Sequence, residues 1–139
     1  MRIELVGLGR IGSFHARTLL ALEAVTDLVV TDVVPWITAG IAAELGLVIS
    51  DSPEDLLNAG LDGVVIASST STHPQLLAFV EAGILTFCEK PVAANLSEVL
   101  AVRDKATAHD VAVQIGFPRR LDPDMVRARN DLRSGRLGT

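Results

Sequence analysis

The eight residues Leu5-Val6-Gly7-Leu8-Gly9-Arg10-Ile11-Gly12 constrain this chain more than any other stretch. Ile3, Leu5 and Val6 make a short apolar run, three glycines follow at positions 7, 9 and 12, and Phe14, Leu19, Leu20 and Leu22 then fall at mostly helical spacing. The pattern reads as a strand that turns sharply into a helix. At such a turn Gly7 permits the tight bend, Gly9 lets the backbone approach a pyrophosphate with no side chain between, and Gly12 lets helix and sheet pack closely. The start of the helix offers unpaired N–H groups and the positive end of its dipole to phosphates.

Glycines at this spacing also serve turns that bind nothing, so context decides. Asp32 stands twenty residues beyond Gly12, at the end of the apolar run Leu28-Val29-Val30. A carboxylate there takes the adenosine ribose hydroxyls of a dinucleotide. The expected cofactor contacts are therefore Gly7, Leu8, Gly9, Arg10, Ile11, Gly12 and Asp32. Val33 and Val34 follow the acid, and no arginine follows to receive a 2′-phosphate, which favours NAD over NADP; Arg10 is the one cation that could still reach that region.

The remaining sequence alternates strand and helix. Pro35 opens a helix that Gly46 stops, and Leu47-Val48-Ile49 is a third strand. Ser52-Pro53-Glu54-Asp55 caps a short helix ending near Gly60. Val64 to Ala67 is a continuous apolar run, as in a strand covered on both faces. A helix then runs to Gly83, Ile84 to Cys88 forms a fifth strand, Asn95 caps the next helix, and Val111 to Ile115 is the sixth strand. This is the α/β pattern of a doubly wound parallel sheet with helices on both faces and strand order 3-2-1-4-5-6. A last helix spans Asp122 to Arg133; its arginines are interspersed with Asp122, Asp124 and Asp131, which marks a solvated helix.

Length and charge narrow the function. A chain of 139 residues is one domain's worth, and 49% hydrophobic residues place it among globular proteins. A net charge of −5 argues against a nucleic-acid surface. No apolar run approaches the roughly 20 residues of a membrane span. The first strand begins at residue 2, which leaves no room for a signal peptide, so the expected location is cytoplasmic. The single cysteine, Cys88, lies in an apolar strand and reads as a buried, inert thiol. No histidines or acids have metal-ligand spacing.

In a doubly wound sheet the ligand lies outside the carboxyl ends of the strands. The polar sequences fall there: the glycine turn, Asp32, Ser68 to His73, Glu89-Lys90, and Gly116 to Arg120. Ser68, Ser69, Thr70, Glu89 and Lys90 join the expected cofactor contacts, although part of the hydroxyl run caps the helix at Pro74. His73 is balanced between a cofactor contact and a surface histidine; His15 and His109 read as incidental. Pro91 holds Lys90 in extended backbone, aiming its side chain across the strand ends. Partly desolvated there, its amine would exchange a proton with a substrate hydroxyl, and Glu89 would position the loop.

Together these residues resemble the Gfo/Idh/MocA oxidoreductases, proteins with an N-terminal Rossmann domain. The resemblance covers essentially the whole chain and rests on the glycine turn, Asp32, Ser71-Thr72-His73, Glu89-Lys90-Pro91 and Gly116-Phe117-x-Arg119-Arg120-x-Asp122. It implies that Lys90 is the catalytic lysine beside the hydroxyl whose hydride passes to the nicotinamide, and it allows a cis Lys90–Pro91 peptide. The Gly116 to Arg120 segment is most similar to the inositol dehydrogenase branch and puts Arg119 at the polyol pocket, with Pro118 an untypical residue there. It further implies a dinucleotide domain over residues 1–120, a connecting helix over 121–139 leading towards a substrate domain absent from this chain, and homo-oligomers of the full-length form. The competing class is a catalytically silent NAD(P)-binding sensor or scaffold. Both classes bind cofactor, and they separate over Lys90.

Overall fold

The computed structural model describes residues 1–50, 56–57, 60–69, 73–136 and 138, with the side chains at positions 35, 37, 73 and 74 outside that description. The elements are β1 (Arg2–Val6), α1 (Arg10–Leu20), β2 (Asp27–Thr31), α2 (Pro35–Leu45), β3 (Val48–Ile49), β4 (Gly63–Ile66), α3 (His73–Glu81), β5 (Leu85–Glu89), α4 (Leu96–Ala108), β6 (Val113–Gly116), a 3-10 turn (Pro118–Arg120) and α5 (Pro123–Arg133). All strand pairs are parallel and the sheet order is β3-β2-β1-β4-β5-β6, as the alternation of elements implies. The helix expected over 52–60 falls largely outside the described residues.

Strand alternation assigns the two faces. Ile3, Leu5, Leu28 and Val30 pack with Leu8, Ala16 and Ala42 beneath α1 and α2. Val6, Val64, Ile66 and Cys88 pack on the opposite face with Leu76, Phe79 and Val80 of α3 and Val102 of α4. Each fully buried aliphatic side chain among these contributes about 1.5–3 kcal/mol of burial free energy. Glu4 interrupts the apolar pattern of β1: its side chain is fully buried, and Thr31 on the neighbouring strand donates a hydrogen bond of 2.9 Å to its carboxylate.

The helix ends follow local chemistry. Gly46 ends α2 in the left-handed conformation, with φ of 66°. Asn95 caps α4 by accepting from the Glu98 backbone N–H, while Glu98 reaches back to the N–H of Ala94, a reciprocal cap. Asp122 caps α5 by accepting from the N–H groups of Asp124 and Met125. Helix α5 contains no buried residue, in keeping with a solvated helix.

Candidate functional site

The switch in strand order lies between β1 and β4, where the chain leaves one strand for each side of the sheet. Gly7 follows β1 with φ of 91°, and a Cβ on it would come within 2.7 Å of the Ser68 backbone and side chain. A Cβ on Gly12 would lie 1.8 Å from the carbonyl oxygen of Gly7. These two glycines let the α1 turn fit against β4. Gly9 differs: no described atom lies within 4 Å of where its Cβ would stand, and its backbone is extended rather than left-handed. The fold does not demand glycine there, whereas a ligand lying over the turn would. Gly9 is also the cap position of α1 and no side chain caps that end, which leaves first-turn N–H groups available to an anion.

Asp32, at the end of β2, ties the turn down. Its carboxylate accepts from the Leu8 N–H at 2.5 Å and from the Val34 N–H at 2.9 Å, one bond per oxygen. Each oxygen retains a lone pair for a ribose hydroxyl. Leu8 itself is buried, while Arg10 and Ile11 are exposed at the start of α1.

Beyond the turn a cleft of about 920 Å³ opens over the C-terminal ends of β4, β5 and β6. Ile11, Phe14 and His15 of α1 line one side, Ser68, Glu89 and Lys90 another, and Phe117, Arg120 and Leu121 the rim. Ser68 lines this cleft, and its Oγ is buried without a hydrogen-bond partner among the described residues. Ser69 is exposed, Thr70 lies outside the described residues, and His73 begins α3 with its side chain undescribed. The Lys90–Pro91 peptide is cis, the isomer that the resemblance allows. Lys90 borders the cleft but is exposed, so the expected partial desolvation is not present in this chain alone.

One residue that sequence reasoning passed over joins the cleft. His15, read as incidental, donates from Nε2 to Glu89 Oε1 at 2.9 Å, and its ring packs edge-on to Phe87 at 5.4 Å and Phe14 at 5.9 Å. The signal was available, because His15 lies one turn beyond Ile11 and shares its helix face. Gly116 stands opposite Glu89 in the sheet register, and a Cβ on it would fall 2.9 Å from Glu89 Oε2, so glycine makes room for the carboxylate. Arg120 borders the cleft and lies over the Phe117 ring at 5.5 Å. Arg119, the expected polyol contact, is exposed on the 3-10 turn and is not among the described residues lining the cleft. His109 is exposed at the end of α4.

Cys88 is buried on β5, as its apolar strand implies. Burial, and secondarily the neighbouring Glu89 charge, push its thiol up to about 11. Among the described residues no three His, Cys, Asp or Glu side chains cluster as a metal site, and no helix is long and apolar enough to cross a membrane.

A parallel sheet in this order, with a glycine turn, an acid after β2 and a cleft at its switch point, defines a dinucleotide-binding Rossmann domain. Residues 1–117 match the model of the oxidoreductase family with an NAD-binding Rossmann fold named for Gfo, Idh and MocA. The chain belongs to the Gfo/Idh/MocA oxidoreductase family. It is 39% identical over 148 residues to inositol 2-dehydrogenase 1 of Saccharopolyspora erythraea, covering 99% of this chain and 43% of that protein. It is 34% identical over 142 residues to the scyllo-inositol 2-dehydrogenase (NAD(+)) of Bacillus subtilis, covering 99% of this chain and 42% of that protein. Among solved structures, scyllo-inositol dehydrogenase from Lactobacillus casei with bound NAD(H) and scyllo-inositol superposes with a TM-score of 0.88 at 28% identity, over 99% of this chain and 42% of that one. Myo-inositol 2-dehydrogenase from Lactobacillus plantarum gives 0.91 at 27% identity, over all of this chain and 42% of that one. The chain thus spans less than half the length of these relatives.

Proposed function

We propose that this chain is the cofactor-binding part of an NAD-dependent dehydrogenase that moves a hydride between a nicotinamide and a hydroxyl of an inositol-like polyol or a sugar. On this reading residues 1–120 bind the dinucleotide and 121–139 connect towards a substrate domain. The observation that carries it is one cleft lined by Lys90, by Ser68 and by Ile11 of α1, the helix that begins at the open Gly9 turn. The residues present fit a dinucleotide: Gly9 and the uncapped start of α1 would hold the diphosphate, Asp32 the adenosine ribose, and Ser68 the nicotinamide half. When bound, the nicotinamide supplies the hydride acceptor or donor.

Lys90 then acts on the substrate. Extended from the end of β5, its ammonium donates a hydrogen bond to the reacting hydroxyl and takes part in its proton transfer. Closure of a substrate domain over the cleft would exclude water from the amine. Arg119 would reach a polyol only through such a domain, and Arg120 is already at the rim. Asp32 favours NAD because a carboxylate repels a 2′-phosphate.

Titration calorimetry with NAD and NADP tests the reading. NAD binds, NADP binds about tenfold or more weakly, and Lys90→Ala retains NAD binding. In a version carrying the substrate domain, Lys90→Ala abolishes oxidation of inositol. Undiminished turnover would remove Lys90 from the mechanism, and failure of both nucleotides to bind folded protein would overturn the reading.

A further inference from the structure

We infer that Glu89, held in place by His15, is an electrostatic selector for the oxidised form of the cofactor, so that this site discriminates between NAD and NADH through a carboxylate outside the catalytic lysine. The inference rests on the dinucleotide reading above and deepens it. Oxidised nicotinamide carries a positive ring charge and the reduced ring carries none, so a fixed negative charge near the ring distinguishes the two states where shape cannot.

The structure supplies such a charge and fixes it. Glu89 stands at the last position of β5, directly before Lys90, and lines the same cleft. Its side chain is 21% exposed, and that of His15 is 19% exposed, so neither is a freely rotating surface group. His15 Nε2 donates to Oε1, and the His15 ring packs edge-on against Phe87 and against Phe14. Gly116 leaves space for Oε2, since any side chain there would collide with it. A carboxylate whose position is set by a hydrogen bond, two aromatic contacts and a glycine is a preorganised charge rather than a solvated one.

Glu89 is the one acid among the described residues lining the cleft. Among the described residues lining the cleft, the charged and titratable groups are His15, Glu89, Lys90 and Arg120. Lys90 and Arg120 are exposed and screened by water, whereas Glu89 is mostly covered. A neutral His15 leaves the Glu89 charge intact while orienting it; a protonated one would offset it. Lone placement of an acid beside the lysine would be unremarkable, but this acid is also anchored by His15 to the second turn of α1, the helix whose uncapped start is open to an anion.

Binding of NAD and NADH to the 139-residue chain, by calorimetry at pH 8 for wild type, Glu89→Gln and His15→Gln, tests this. Glu89→Gln keeps the shape and the hydrogen-bond acceptor while removing the charge. It is expected to weaken NAD relative to NADH, changing the ratio of their dissociation constants by about tenfold, with NADH affinity little altered. His15→Gln retains a donor to Glu89 and is expected to keep the wild-type ratio. Equal loss of both ligands in Glu89→Gln, or a ratio unchanged within about twofold, would overturn the inference while leaving the dinucleotide reading intact. If neither form binds the folded wild-type chain, both fall together.

Discussion

A Cβ placed on Gly12 would stand 1.8 Å from the carbonyl oxygen of Gly7, so the last glycine of the turn exists to clear the first. Gly9, between them, clears nothing among the described atoms. The three glycines therefore do different work, and substitution separates it. Gly12→Ala forces α1 away from the turn and is expected to cost about 1–3 kcal/mol of stability. Gly9→Ala is compatible with the local backbone and is expected to change stability by less than about 0.5 kcal/mol while greatly weakening NAD binding. Urea unfolding and calorimetry on the two variants check this; a Gly9→Ala protein that binds NAD normally would contradict the placement of the diphosphate.

Asp32 carries a structural duty that precedes any ligand, because its two oxygens fasten Leu8 of the glycine turn and Val34 at the entry to α2. Asp32→Ala leaves two N–H groups without their acceptor and is expected to lower stability by about 1–3 kcal/mol. Asp32→Asn keeps one carbonyl acceptor and is expected to lose less. In the asparagine variant the preference for NAD over NADP should shrink, since the repulsion of a 2′-phosphate goes with the charge. Thermal denaturation and paired nucleotide titrations read the two effects, and an unchanged preference would assign discrimination elsewhere.

What was legible in the sequence was whatever is local. The turn glycines, the strand alternation, the capping role of Asn95 and the buried thiol of Cys88 all depend on neighbours within a few positions, and the structure places them as read. Boundaries moved by a residue or two: β3 begins at Val48 and β6 at Val113. Contacts across long separations were not legible. The Glu89 partner of His15 is 74 residues away, so a histidine judged alone on its helix reads as incidental. Glu4 likewise looks like an interruption of an apolar strand until Thr31 is seen beside it.

That buried pair makes its own prediction. Glu4 lies on the central strand with no exposure, and Thr31 is almost as deeply buried. Glu4→Ala leaves the Thr31 hydroxyl without this acceptor and opens a cavity in the sheet face, for an expected loss of about 2–4 kcal/mol. Glu4→Gln preserves an acceptor oxygen and nearly the same volume and should lose less than the alanine variant. Chemical denaturation ranks them; equal losses would show that volume and hydrogen bonding are not what the side chain contributes.

Cys88 links stability to alkaline pH. Its thiol is raised to about 11 in the folded chain, chiefly by burial and then by the Glu89 charge, from an ordinary value of 9.0. The folded state therefore holds the proton more tightly than the unfolded state does. Stability from this group is fully present below about pH 9 and is lost as the pH rises through about 11. Cys88→Ala removes the titration, so the difference in unfolding free energy between wild type and variant should fall over that interval and be flat below it. The same shift leaves only about one thiol in a thousand ionised at pH 8, and iodoacetamide should modify Cys88 slowly in folded protein and readily in urea. Rapid alkylation of the folded chain at that pH would mean that the β5 face is open to solvent, contrary to the packing of Cys88 with Val64, Ile66 and Val102.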